Sequence, residues 1–231
     1  QLDYETVQEY VFAVKVNDTV NESVQRAYIR VEVVDKNDVN PLFESAPYVF
    51  VIDENSGIGS VVGVVSASDG DRSDFNVVSY SLLTSPLGQS TFEINRSSGV
   101  IRLLRSPDYE VKSEYDLTVV GEDNSGPSNN PRRGVASVYV SIRDLNDNTP
   151  VLLPPFEYVV SKSGLVAGMS VLAATATDAD SGANGEIEYG LMSELSLFRI
   201  EGFSGVVTLV SSVNASRTAP FVLNVSATDR G

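Results

Sequence analysis

The sequence predicts an all-β chain built of tandem β-sandwiches, and three observations predict it. Anchor residues recur at spacings of 105–109 positions, the size of one small sandwich. Several short runs alternate apolar and polar residues at a period of two. No stretch of ten or more residues carries a convincing 3.6-residue period.

The strand runs follow in order. Tyr28–Val34 places Ile29, Val31 and Val33 on one face and Arg30 and Glu32 on the other. Tyr115–Val120 and Val138–Ile142 alternate in the same way, as does Phe221–Ala227, where Asn224 and Ser226 oppose Leu223 and Val225. This is the half-buried strand signal, strengthened by β-branched residues. Ser98-Gly99-Val100 and Ser204-Gly205-Val206 read as one tight turn used twice. Gly57-Ile58-Gly59 is too short for a phosphate loop and reads as another turn.

The repeat sets the domain organisation. Asp35-Lys36-Asn37-Asp38-Val39-Asn40-Pro41 returns 109 residues later as Asp144-Leu145-Asn146-Asp147-Asn148-Thr149-Pro150. Ala67-Ser68-Asp69-Gly70-Asp71 returns as Ala176-Thr177-Asp178-Ala179-Asp180, and Tyr80 as Tyr189, at the same shift. Asp3-Tyr4-Glu5 is matched by Asp108-Tyr109-Glu110, and Asp18, Asp123 and Asp229 each close a strand-like run. Residues 1–36 are then the back half of one repeat, 37–146 a complete repeat, and 147–231 a repeat that stops before its last strand.

Composition narrows the function. The 231 residues include 31 acids, 16 bases, no His and no Cys, a net charge of −15. Such a balance disfavours nucleic acid and anionic lipid surfaces. The missing His and Cys exclude disulfides, thiolate zinc sites and His-based triads. Ser is abundant but has no evident base partner, and Glu54 with Glu110 is a weaker glycosidase pair than a ligand pair, so no enzyme is expected. No run approaches the roughly 18 apolar residues of a membrane span, and no signal-peptide pattern opens the chain. The chain therefore reads as an internal piece of a longer protein. Asn17, Asn21, Asn95, Asn214 and Asn224 lie in N-x-S/T sequons and are glycosylation candidates. Arg132-Arg133 sits in a Ser/Asn/Pro/Gly-rich stretch and reads as a solvated loop rather than a partner contact.

The repeated residues are carboxylates and Asn set one residue apart at strand ends and between units. Such groups repel unless a cation joins them, and Ca²⁺ takes six to eight oxygens at about 2.3–2.6 Å. One Asp-x-Asp alone is usually a solvated turn. The whole constellation in register points to calcium.

These motifs resemble the extracellular repeats of cadherins. The resemblance rests on Asp144–Pro150, Asp108–Glu110, Asp178–Asn184, Ala227–Asp229 and Asp53–Asn55, and covers essentially the whole chain. It implies Greek-key, immunoglobulin-like sandwiches joined by linkers that each hold about three Ca²⁺. For the second linker it implies Glu54, Asp108, Glu110, Asp144, Asn146, Asp147, Asp178, Asp180 and Asp229 as side-chain ligands, with carbonyls of Leu145, Asn148 and Asn184. For the first it implies Asp3, Glu5, Asp35, Asn37, Asp38, Asp69, Asp71 and Asp123, with carbonyls of Lys36 and Val39. Val39 stands where the family has Asn, and Phe75 or Asn76 replaces the usual Gly-x-Asn carbonyl position. The two sets hold 15 of the 31 acids, so the remaining 16 balance the 16 bases. The third repeat has Ser161-Lys162-Ser163-Gly164 and Asn214-Ala215-Ser216 where the middle one has acids, so a calcium-poor junction is expected downstream.

The resemblance further implies calcium-dependent cell–cell adhesion, homophilic or heterophilic, by a cadherin ectodomain. The parent would be a single-pass plasma-membrane protein with these repeats outside the cell and its anchor outside this chain. No nucleic acid and no small-molecule substrate are expected. The alternative function is a force-bearing or spacer rod of the same repeats.

Overall fold

The computed structural model describes residues 2–17, 20, 24–83, 91–124, 130–160, 165–213 and 219–231. Among them there is no α-helix; one 3₁₀ turn spans Ser73–Asn76. The chain divides into two compact units, residues 1–107 with 114–141, and residues 108–113 with 142–231.

The first unit opens with a hairpin of β1 (Glu9–Asn17) and β2 (Val24–Glu32), antiparallel with Phe12 opposite Ile29. The run predicted at 28–34 falls on this second strand, which ends at Glu32, and both of its faces are exposed, so the expected buried face is not formed. A complete sandwich follows. Its short strands β3 (Leu42–Phe43) and β6 (Ala67–Ser68) pair with each other. One sheet orders β4 (Tyr48–Asp53), β11 (Arg133–Arg143), β10 (Glu114–Glu122) and β7 (Ser79–Leu82). The other orders β5 (Val61–Val64), β9 (Val100–Leu103) and β8 (Phe92–Ile94). The chain changes sheet after β4, β5, β7 and β9, a Greek-key-like path.

The buried row comes from the alternation. Val119 of β10 and Val138 and Val140 of β11 turn inward with Ile101, Leu103 and Phe92 from the other sheet, all essentially inaccessible. Phe92 meets Tyr115 edge to face, ring centroids 5.0 Å apart, so the two sheets interlock through aromatic contact.

The second unit repeats this plan with β12 (Val151–Leu153), β13 (Ser170–Ala173), β14 (Thr175–Thr177), β15 (Glu188–Leu191), β16 (Phe198–Ile200), β17 (Val206–Leu209) and β18 (Val225–Thr228). Val151 pairs with Thr177 as Leu42 pairs with Ser68. Tyr189 lies opposite Ala227 as Tyr80 lies opposite Gly121. The repeated turn is also confirmed: Gly99 and Gly205 have φ of +67° and +66°.

Two further details differ from the sequence reading. Strand assignment begins at Val225, not Phe221, because the Asn224 N–H is taken by the Ser193 hydroxyl at 2.7 Å rather than by a ladder carbonyl. Residues 156–160, the counterparts of β4, carry no ladder. The core of Phe198, Val207 and Leu209 opens there into an apolar cavity of about 770 Å³ lined by Phe156, Tyr158, Val171, Phe221 and Leu223.

Candidate metal centre

The first acid set lies wholly in the first unit. Asp3 opens a turn in which its carboxylate accepts the Glu5 N–H at 3.1 Å and the Thr6 hydroxyl at 2.7 Å. The Thr6 bond, with that of Glu5, holds the Asp3 carboxyl below the usual range. The extended segment 35–39 then runs beside the end of β6. There Asp71 accepts the Val39 N–H, and its own N–H donates to Asp69 Oδ1 at 2.9 Å. Beyond β10, Asp123 accepts the Asn37 side-chain amide at 3.0 Å.

This packing brings carboxylates together. One oxygen each from Glu5, Asp35 and Asp71 lie within 4.8 Å of one another, as do oxygens of Asp69, Asp71 and Asp123. Asp71, 2% exposed, belongs to both groups. Burial lifts the carboxyls of Asp69 and Asp71 above their ordinary value; Asp123 adds to the first, and Asp69, Asp38 and Asp35 add to the second. Asp38 is exposed, and its charge adds to the rise at Asp71. In place of the Gly-x-Asn segment, Phe75 and Asn76 end the 3₁₀ turn.

The second set, in the second unit, is assembled by the same bonds. Asp108 Oδ1 accepts the Val111 N–H at 3.0 Å and so fixes the turn that carries Glu110. The Asp180 N–H donates to Asp178 Oδ1 at 2.9 Å, repeating the Asp71–Asp69 bond. Asn148 donates to Asp180 through both its backbone and its amide, and also to Asp147 at 2.8 Å. The Asn146 amide donates to Asp229, the counterpart of Asn37 and Asp123. Glu110, Asp144 and Asp180 place carboxylate oxygens within 4.8 Å of one another. Asn184 donates its side-chain amide to Asp144 at 2.7 Å, a role that the resemblance did not include. Leu145 lies in the extended linker stretch, and Glu54 directly follows β4 in the other unit and is 1% exposed.

A cation fits the donors that are present. Glu5, Asp35, Asn37, Asp69, Asp123 and Asp178 each hold a buried side-chain oxygen with no hydrogen-bond partner, and Asp35 holds two. Buried carboxylate oxygens without a partner are costly unless a charge joins them. All are oxygen, the donor type of a hard divalent cation. Asn17, Asn95 and Asn224 are exposed, while Asn21 and Asn214 lie outside the described residues, as do Asp18 and residues 161–164 and 214–218. The sequence reading missed Arg132, which bonds the linker rather than solvent. Arg133 pairs with Glu122 at 2.6 Å.

Tandem sandwiches with acidic sets at their ends define the class, and comparison with known proteins agrees. The model of the cadherin domain matches residues 48–143 and 159–231. The chain belongs to the cadherin family and is a stretch of cadherin extracellular repeats. Human Cadherin-23 is 35% identical over 235 residues, covering 100% of this chain and 7% of the relative. Mouse Protocadherin Fat 4 is 33% identical over 236 residues, covering 100% and 5%. The chain thus spans less than a tenth of these relatives. The crystal structure of mouse Cadherin-23 EC22-24 superposes with a TM-score of 0.85 at 34% identity, covering 100% of this chain and 72% of that one.

Proposed function

We propose that this chain is part of a calcium-dependent adhesion ectodomain, with its two acid sets as Ca²⁺ sites. The buried, partnerless carboxylate oxygens that converge on Asp71 carry the reading. In the first set the ligands are Asp3, Glu5, Asp35, Asn37, Asp38, Asp69, Asp71 and Asp123, with carbonyls of Lys36 and Val39. In the second they are Asp108, Glu110, Asp144, Asn146, Asp147, Asp178, Asp180 and Asp229, with carbonyls of Leu145, Asn148 and Asn184. Glu54 joins the proposal as a ligand that the resemblance implies. About three ions per linker would supply positive charge that ties neighbouring carboxylates together and stiffens the junction.

The proposed repeats are 1–36, 37–146 and 147–231. The proposed partner is a cadherin ectodomain of the same or a related protein. Val49 and Val51 of β4 and Val135 and Tyr139 of β11 support this reading, because they leave apolar side chains exposed on one sheet of the complete sandwich. The proposed location is the extracellular side of the plasma membrane. One relative, 34% identical, is named as a seven-pass receptor, so such repeats do not by themselves go with a single span. Calcium titration by calorimetry tests the sites. Saturable binding at about 10⁻⁴–10⁻³ M is expected, and no binding up to about 10 mM overturns the reading.

A further inference from the structure

Arg132 donates three bonds, and two of them join the loop after Asp123 to the linker before the complete sandwich. Its backbone N–H donates to Asp123 Oδ1 at 3.0 Å. Its Nε donates to the Asn37 carbonyl at 3.1 Å, and its Nη1 donates to Asn40 Oδ1 at 3.0 Å. The last two bridge 95 and 92 residues of sequence. Asn37 also donates to Asp123, so Asn37, Asp123 and Arg132 close a ring of contacts. A planar guanidinium presents its donors in a fixed fork aimed at two separate acceptors, whereas the three donors of Lys share one nitrogen on a flexible stem.

We propose that Arg132 is a positioning residue for the first acid set, holding residues 37–40 in place when no cation is bound. Its purpose rests on the reading of that set as an ion site. The second set uses its neighbouring base differently. Arg230 donates to Glu186 at 2.8 Å and lies 5.7 Å over the Phe203 ring. The linker bonds at Asn146 and Asn148 are made to carboxylates instead.

Hydrogen exchange of the Val39 amide in EDTA tests the role, because that N–H is held by Asp71. Arg132→Ala is expected to speed its exchange about tenfold, and Arg132→Lys by less. Asn40→Ala, an exposed change outside the sandwich core, is expected to shift it in the same direction. Amides of Val119 and Val138 serve as the folding control and keep their protection. Exchange at Val39 within about twofold of the parent chain in both alanine variants overturns the proposal. Failure of the calcium reading shows separately, as equal Val39 exchange in the parent chain with and without calcium.

Discussion

Asp71 holds Val39 through the Val39 backbone N–H, which lies 3.2 Å from each oxygen of the Asp71 carboxylate. The same carboxylate reaches Asp35 and Glu5 on one side and Asp69 and Asp123 on the other. One side chain thus fixes the linker backbone and joins both acid groups. Asp71→Ala is expected to weaken calcium binding at this set at least about tenfold, read by calorimetry, since it removes a ligand and the linker bond together. Circular dichroism should still show a folded sandwich.

Asp180 is the counterpart in the second unit, where Asn148 donates to it twice. Asp180→Ala should raise protease cleavage between Asp144 and Asn148 in calcium to the level that the parent chain shows in EDTA. Unchanged cleavage would remove Asp180 from the set.

Chelation should lower the melting temperature. Each ion stabilises the folded form by about 1–3 kcal/mol when calcium is about ten to a hundred times Kd. Scanning calorimetry in EDTA and in calcium measures the difference.

The pH dependence should change sign with calcium. Asp69 and Asp71 carry carboxyls raised above their unfolded value, chiefly by burial. Their contribution to the ion-free fold is fully present below the unfolded value and is lost as pH rises through the folded one. Mild acidification should therefore stabilise the ion-free chain. In calcium the opposite trend is expected, because protons displace the ion from its carboxylates. Urea midpoints across weakly acidic pH distinguish the two.

Gly99 and Gly205 should both resist substitution. Each sits at positive φ, and an added Cβ would press on the carbonyl oxygen of Val65 or Ala174. Alanine at either position should cost about 1–3 kcal/mol by chemical denaturation. The core contrast is equally specific. Phe92→Ala empties a sealed core and should cost about 3–5 kcal/mol. Phe198→Ala borders the open cavity and should cost less, since fewer packed neighbours surround that side.

Much of this was legible in the linear chain. The period of two along Tyr115–Val120 and Val138–Ile142 marks strands because only alternation buries one face. Gly99 and Gly205 mark turns because few other residues accept positive φ. The acid sets showed through repetition, since carboxylates at fixed offsets in successive repeats need a common purpose. The side-chain roles of Asn184 and Arg132 did not show. Each acts through a side-chain bond to a residue 40 to 95 positions away, and no local pattern encodes such a partner.

The sequence by itself determined the class of fold, the repeat register and which residue types crowd the junctions, because these depend on periodicity and composition. The tertiary structure decided which carboxylates meet. It made Asp71 the shared member of two groups and left oxygens of Asp35 and Asp69 buried without partners. It also turned Arg132 from a loop cation into a bond across the linker. Those outcomes depend on how segments 35–40, 67–71 and 123–132 pack side by side, and contact between distant segments is a property of the folded chain.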